Sequence, residues 1–117
     1  MDEQNKVIIY TASDGQTKID VKLEDETLWL TQAQMCELYQ TSRTNVVEHI
    51  KHIYEEGELD KEATCRNFRQ VREEGGRKVE REMTFYNLDM IIALGYRVRS
   101  IIATRFRQWA TLRLKEY

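Results

Sequence analysis

The sequence of 117 residues predicts an α+β fold in a single domain, on three observations. Ile19, Val21 and Leu23 alternate with Lys18, Asp20, Lys22 and Glu24, the period of two expected of a half-buried strand. The stretch from Leu30 to Leu59 reads as cap, helix, break, cap, helix. Gly75-Gly76 then separates two β-rich runs, and two helical patterns complete the chain.

In chain order, Val7 to Tyr10 is a β-rich run and Ser13-Asp14-Gly15 a turn signal. With the alternating run they predict an N-terminal β-hairpin resting on apolar surface. Glu24-Asp25-Glu26 is expected to be a solvated loop. Leu28-Trp29-Leu30 is a short strand feeding the first helix, with Trp29 as a core plug. Thr31 caps that helix with Gln34 as capping-box partner, and the helix runs over Gln32 to Tyr39. Gln40, Thr41 and Ser42 form the break. The turn position that Gly usually fills is Gln40, so either Gln takes a left-handed backbone or the turn has another shape.

Thr41 and Ser42 are both good caps for the second helix, which runs to about Glu56 before Gly57. Val46, Ile50 and Ile53 recur at helical spacing as one buried stripe. Thr44, Asn45, Glu48, Lys51 and His52 lie opposite, with Arg43 beside them. A helix with a dry back and a polar front suits a DNA major groove. Any αα-hairpin also has a dry stripe and a polar face. Small polar residues and an Arg opening the second helix are the more specific feature.

Leu59 to Thr64 turns the chain into paired strands, Cys65 to Arg72 and Lys78 to Tyr86. A hairpin directly after such a helix pair is a wing. It holds Arg66, Arg69, Arg72, Arg77, Lys78 and Arg81 against Glu73, Glu74, Glu80 and Glu82. Two readings fit these interleaved signs: a grip on phosphates, or cross-strand ion pairs. Asn87 caps a third helix, Leu88 to Leu94, closed by Gly95. Tyr96-Arg97-Val98-Arg99 links it to a last helix from Ser100 onward, with Ile102, Phe106 and Trp109 on its dry side. The expected fold is thus a winged helix-turn-helix with an N-terminal β-hairpin and two C-terminal helices.

Net charge is −2, but it is unevenly spread: residues 1–40 hold eight acids and three bases, residues 41–117 twelve acids and fifteen bases. Local positive surface is what attracts phosphate. No apolar run approaches the ~20 residues of a membrane span, and the N-terminus lacks the pattern of a secretory leader. Cys36 and Cys65 make no disulfide framework, so a reduced, cytoplasmic protein is expected.

His49 and His52 could join a zinc site only if both cysteines converged on them, and no metal-binding spacing occurs. His49 is expected to flank the core, and Cys36 to be a core thiol. Gly75-Gly76 lies in no phosphate-binding pattern. No catalytic constellation can be assembled, so no enzyme activity and no cofactor are expected.

Three segments carry a family resemblance: LWLTQAQMCELYQTSRTNVVEHIKHIYEEGELD, FYNLDMIIALGYRVRS and TRFRQWATLRLKEY. Together they span most of residues 28–117, and they closely resemble the N-terminal domain of the virulence RhuM family of bacterial proteins. TRFRQWATLRL is also similar to the end of the Bro-N type of domain in phage antirepressors. The resemblance implies a DNA-binding domain followed by a longer C-terminal region. The last helix, running to Tyr117 without a stop signal, points the same way.

The expected function is sequence-specific binding of double-stranded DNA by a transcriptional or phage-type regulator, with dimerisation as an option. Arg43, Thr44, Asn45 and Glu48 are the candidates for base edges: Arg for guanine, Asn for adenine, Glu for cytosine. Thr31, Gln32, Ser42, Lys51, His52, Arg69, Arg72, Arg77 and Lys78 are the candidates for phosphate contacts. Two rival readings stand beside it: a protein-interaction or oligomerisation module of antirepressor type, and a targeting domain for an absent catalytic region.

Overall fold

The computed structural model describes residues 6–116. Met1 to Asn5, which begin the N-terminal stretch lacking a leader pattern, and Tyr117 lie outside the described residues. The elements are β1 (Lys6–Thr11), β2 (Lys18–Glu24), β3 (Thr27–Leu30), α1 (Gln32–Tyr39), α2 (Arg43–Glu55), α3 (Lys61–Thr64), β4 (Cys65–Glu74), β5 (Arg77–Asn87), α4 (Leu88–Val98) and α5 (Ser100–Lys115). The strands form one antiparallel sheet of order β1-β2-β3-β5-β4. This bears out an α+β fold that opens with a β-hairpin and closes with two helices.

The alternation read in β2 sets the architecture. Ile19, Val21 and Leu23 are buried on one face of the sheet, joined by Tyr10, Leu28, Leu30 and Tyr86. Against that face lie Met35, Leu38 and Tyr39 of α1, Val46, Ile50 and Ile53 of α2, Met90, Ile91 and Leu94 of α4, and Ala103, Phe106 and Ala110 of α5. Tyr10 meets Phe106 and Trp109 edge-on, each with ring centroids 5.0 Å apart.

The other face of the sheet has a small core of its own. Trp29 meets Phe68 at 5.2 Å, and Phe68 meets Phe85 at 5.3 Å, both edge-on. Arg66 lies 4.7 Å over the Trp29 ring and Lys22 the same distance over Phe68. These cations roof the rings with their own stems and bury Trp29 and Phe85 without a further layer of structure. Trp29 is therefore a plug, but of this second core.

Three local expectations are corrected. Glu24-Asp25-Glu26 is solvated at Asp25 and Glu26, as expected, but it is no loop: these two residues, at φ 55° and 62°, make a tight two-residue turn. Leu23 pairs with Leu28 in register across it, and Arg66 binds the Asp25 carboxylate. Two successive left-handed residues give the twist that a tight hairpin needs. Gly95 does not end α4, which runs on to Val98. The link expected over residues 96–99 is thus reduced to Arg99, at φ −150° and ψ 87°.

Gly95 serves packing instead. A Cβ there would collide with the Tyr39 phenol and lie 2.6 Å from the Ala103 Cβ. The absent side chain lets the Tyr39 ring enter between α4 and α5, where its hydroxyl donates to the Ile91 carbonyl at 2.6 Å. Burial pushes the Tyr39 phenol far above its ordinary pKa. Gly95→Ala is expected to destabilise the fold by roughly 1–3 kcal/mol, the usual cost of overpacking. Chemical denaturation checks this, and an unchanged midpoint would refute the close approach.

Candidate nucleic-acid interface

The α1–turn–α2 unit is built almost as its local signals require. Thr31 accepts from the Gln34 amide at 3.2 Å, and the Gln34 side chain accepts from the Thr31 amide at 2.9 Å, which completes the capping box. Gln34 also donates to the Asp20 carbonyl at 2.7 Å, tying α1 to β2. Gln40 takes the left-handed conformation, φ 54° and ψ 53°. The strain is offset locally: the Gln40 side chain donates to the Glu37 carbonyl at 2.7 Å, and Thr41 N–H to the Cys36 carbonyl at 3.1 Å. Of the two candidate caps, Ser42 caps α2, accepting from Asn45 N–H at 3.0 Å.

The back of α2 is buried at Val46, Ile50 and Ile53. Its front is open: Arg43, Thr44, Val47, Glu48, Lys51, His52 and Glu55 are exposed. Glu48 lies 3.9 Å from His52, an ion pair only when the imidazole is protonated. His49 flanks the core, half-buried, with Nδ1 unpartnered among the described residues. Just past the far end, Arg97 of α4 pairs with Glu56 and Glu58 at 2.7 and 2.9 Å.

The structure places the candidates unequally. Arg43 and Thr44 are exposed at the amino end of α2, with Arg43 hydrogen-bonded to Gln32 through Nε. Asn45 is half-buried; its amide donates to the Thr41 hydroxyl at 2.8 Å and it borders the α4–α5 junction beside Val98 and Ile102. Thr31 and Ser42 spend their hydroxyl acceptors on helix caps. Gln32 is half-buried, its side chain bound to Arg43 and Tyr86. Lys51 is exposed and makes no ion pair among the described residues.

On the β4–β5 hairpin, cross-strand pairing holds for some cations. Arg81 binds Glu74 at 2.7 and 3.2 Å, and Arg69 lies 3.8 Å from Glu80. Arg66 is committed to Glu24 and Asp25. Arg72, Arg77 and Lys78 are exposed and make no ion pair among the described residues. They lie next to the tip, where Gly75 and Gly76 take φ 58° and 79°.

Among the described residues no three of His, Cys, Asp and Glu converge as a metal site, and no helix is long and apolar enough to cross a membrane. Cys36 and Cys65 are free and half-buried, and burial raises the pKa of both thiols. What sequence reasoning missed is the Arg43–Gln32–Tyr86 contact. Its members lie 11 and 54 residues apart, a separation at which no periodicity signals contact.

The class defined so far is an α+β domain that buries one side of a capped helix pair and follows it with a long β-hairpin. Residues 63–117 match the model of the Virulence protein RhuM family, so the family resemblance is shown over that stretch. The match takes in β4, β5, α4 and α5 and leaves out α1 and α2. No curated protein and no solved structure matches the chain.

The hydrogen bond and charge of Arg81 hold the Glu74 carboxyl below its ordinary pKa. The stabilisation this pair gives is therefore present above the ordinary carboxyl range and lost as pH falls through the lowered value. In Arg81→Ala, NMR titration is expected to find the Glu74 pKa returned upward. A pKa that stays low would show that another group sets it.

Proposed function

We propose that this chain binds double-stranded DNA with sequence preference, as a winged helix-turn-helix within a bacterial transcriptional or phage-type regulator acting in the cytoplasm. The reading is carried by one observation: α2 buries one side completely at Val46 and Ile53 and leaves the other open from Arg43 to Glu55. A helix mounted this way can enter a major groove without unfolding anything behind it. Arg43 and Thr44 lead at the amino end, where side chains of such a helix meet base edges. Lys51 follows two turns on, toward a flanking phosphate. Asn45, turned toward Thr41, takes a smaller share than Arg43.

The hairpin supports the same reading. Arg72, Arg77 and Lys78 are the cations it leaves unpaired, and they cluster near its tip. Phosphate contacts from such residues position the protein, while base contacts specify the site. A protein partner is a second reading, favoured by Val47, 41% exposed beside Glu48 on the same helix. That strip would suit an apolar and basic surface better than DNA.

Salt dependence of duplex binding separates the two. Each phosphate contact contributes about −0.9 to the slope of log K against log salt. Replacing Arg72, Arg77 and Lys78 together by Ala is expected to flatten the slope by roughly one unit per contact removed. Arg43→Ala is expected to cost about 1–3 kcal/mol on a preferred site and to relax selectivity at one base pair. Binding that ignores both salt and sequence would refute the DNA reading in favour of a protein surface.

A further inference from the structure

Between α1, the start of α2 and β5 lies a cleft of about 400 Å³, bordered by Thr31, Gln32, Arg43, Glu82, Thr84 and Tyr86. A chain of hydrogen bonds crosses it. Arg43 Nε donates to Gln32 Oε1 at 3.1 Å. Gln32 Nε2 donates to Tyr86 Oη, also at 3.1 Å. Tyr86 is buried on β5, with its hydroxyl against Cys65 of β4. The Gln32 carboxamide is therefore held at both ends, and one end rests on the sheet.

The consequence falls on Arg43. A guanidinium has five N–H donors, of which Nε uses one. The four on Nη1 and Nη2 meet no acceptor among the described residues, although Glu82 borders the same cleft. A guanidinium held by its Nε presents the Nη pair end-on, the geometry that meets O6 and N7 of guanine together. Holding an arginine costs rotamer entropy, and part of that loss is taken before the ligand arrives.

We propose that Gln32 is a positioning residue for base recognition: braced by the Tyr86 hydroxyl, its carboxamide holds Arg43 Nε so that the Nη pair faces a guanine edge. This rests on the DNA reading above, and it moves Gln32 from the phosphate contacts expected of it to the service of Arg43. It also ties base recognition to β5, since Tyr86 is a strand residue of the hairpin that follows α2.

The test uses the full chain and a preferred duplex selected from random sequences. Affinity is measured on that duplex and on one with the Arg43-dependent guanine pair replaced. Gln32→Met keeps the length and removes both hydrogen bonds. It is expected to reduce the preference between the two duplexes about tenfold, leaving the salt slope and the melting temperature unchanged. Gln32→Glu keeps an acceptor for Arg43 Nε and is expected to retain the preference. The Arg43 Nε–H is expected to exchange more slowly in the wild type than in Gln32→Met, even without DNA.

An unchanged preference in Gln32→Met overturns the inference. So does an equal loss on both duplexes with a slope reduced by about one, which would mark Gln32 as a phosphate contact. An Arg43 Nε–H that exchanges equally in wild type and variant overturns it independently of DNA. A wild type with no preference among duplexes refutes the DNA reading itself, and the positioning role falls with it.

Discussion

The seating of Tyr39 against Gly95 is the contact on which the rest of the structure depends. Tyr39 is the last residue of α1, and its phenol passes into the space that Gly95 leaves open between α4 and α5. The hydroxyl is buried, and the Ile91 carbonyl satisfies it. The end of α1 is thereby fixed to the two C-terminal helices one residue before the left-handed turn at Gln40. Arg99, at the α4–α5 junction, reaches the Gln40 carbonyl at 3.5 Å. The direction in which α2 leaves the turn thus follows from how α1 meets α4 and α5.

Much of this was readable in the sequence because it is local. The Thr31–Gln34 capping box, the Ser42 cap and the stripe of Val46, Ile50 and Ile53 are signals within a few residues of one another, and α1 and α2 form where they predict. The β1–β2 and β4–β5 hairpins follow from alternation and from turn residues for the same reason. The errors came where distant contacts decide. A glycine near the end of an apolar helix looks like a terminator, and only the presence of Tyr39 and Ala103 makes Gly95 a packing residue. The acidic run at Glu24 is solvated as it looks, but its pairing with Arg66, some forty residues later, has no local signal.

The candidate interface divides along the same line. Which side of α2 faces outward was evident from periodicity. Which outward residues stay available was not, since that depends on side-chain partners: Asn45 is drawn to Thr41, Gln32 to Tyr86, Arg69 and Arg81 to carboxylates of the hairpin, and Arg66 to Glu24 and Asp25. The family match adds an independent boundary. It covers the hairpin and the last two helices and stops short of the helix pair. The stretch shared with the family model therefore includes the Gly95 and Ala103 seat, whereas Tyr39 and the α2 front lie outside it.

The central claim is that the outer side of α2 and the tip of the β4–β5 hairpin form one surface for duplex DNA. Amide chemical-shift mapping of the labelled chain with a selected duplex tests it most directly. The account predicts the largest shifts at Arg43, Thr44, Glu48 and Lys51, together with Arg72, Arg77 and Lys78, at a single stoichiometry. Shifts confined to Val7 and Ile9 on β1, or to Ile101 and Leu112 on α5, would contradict it and move the functional surface to those exposed apolar residues.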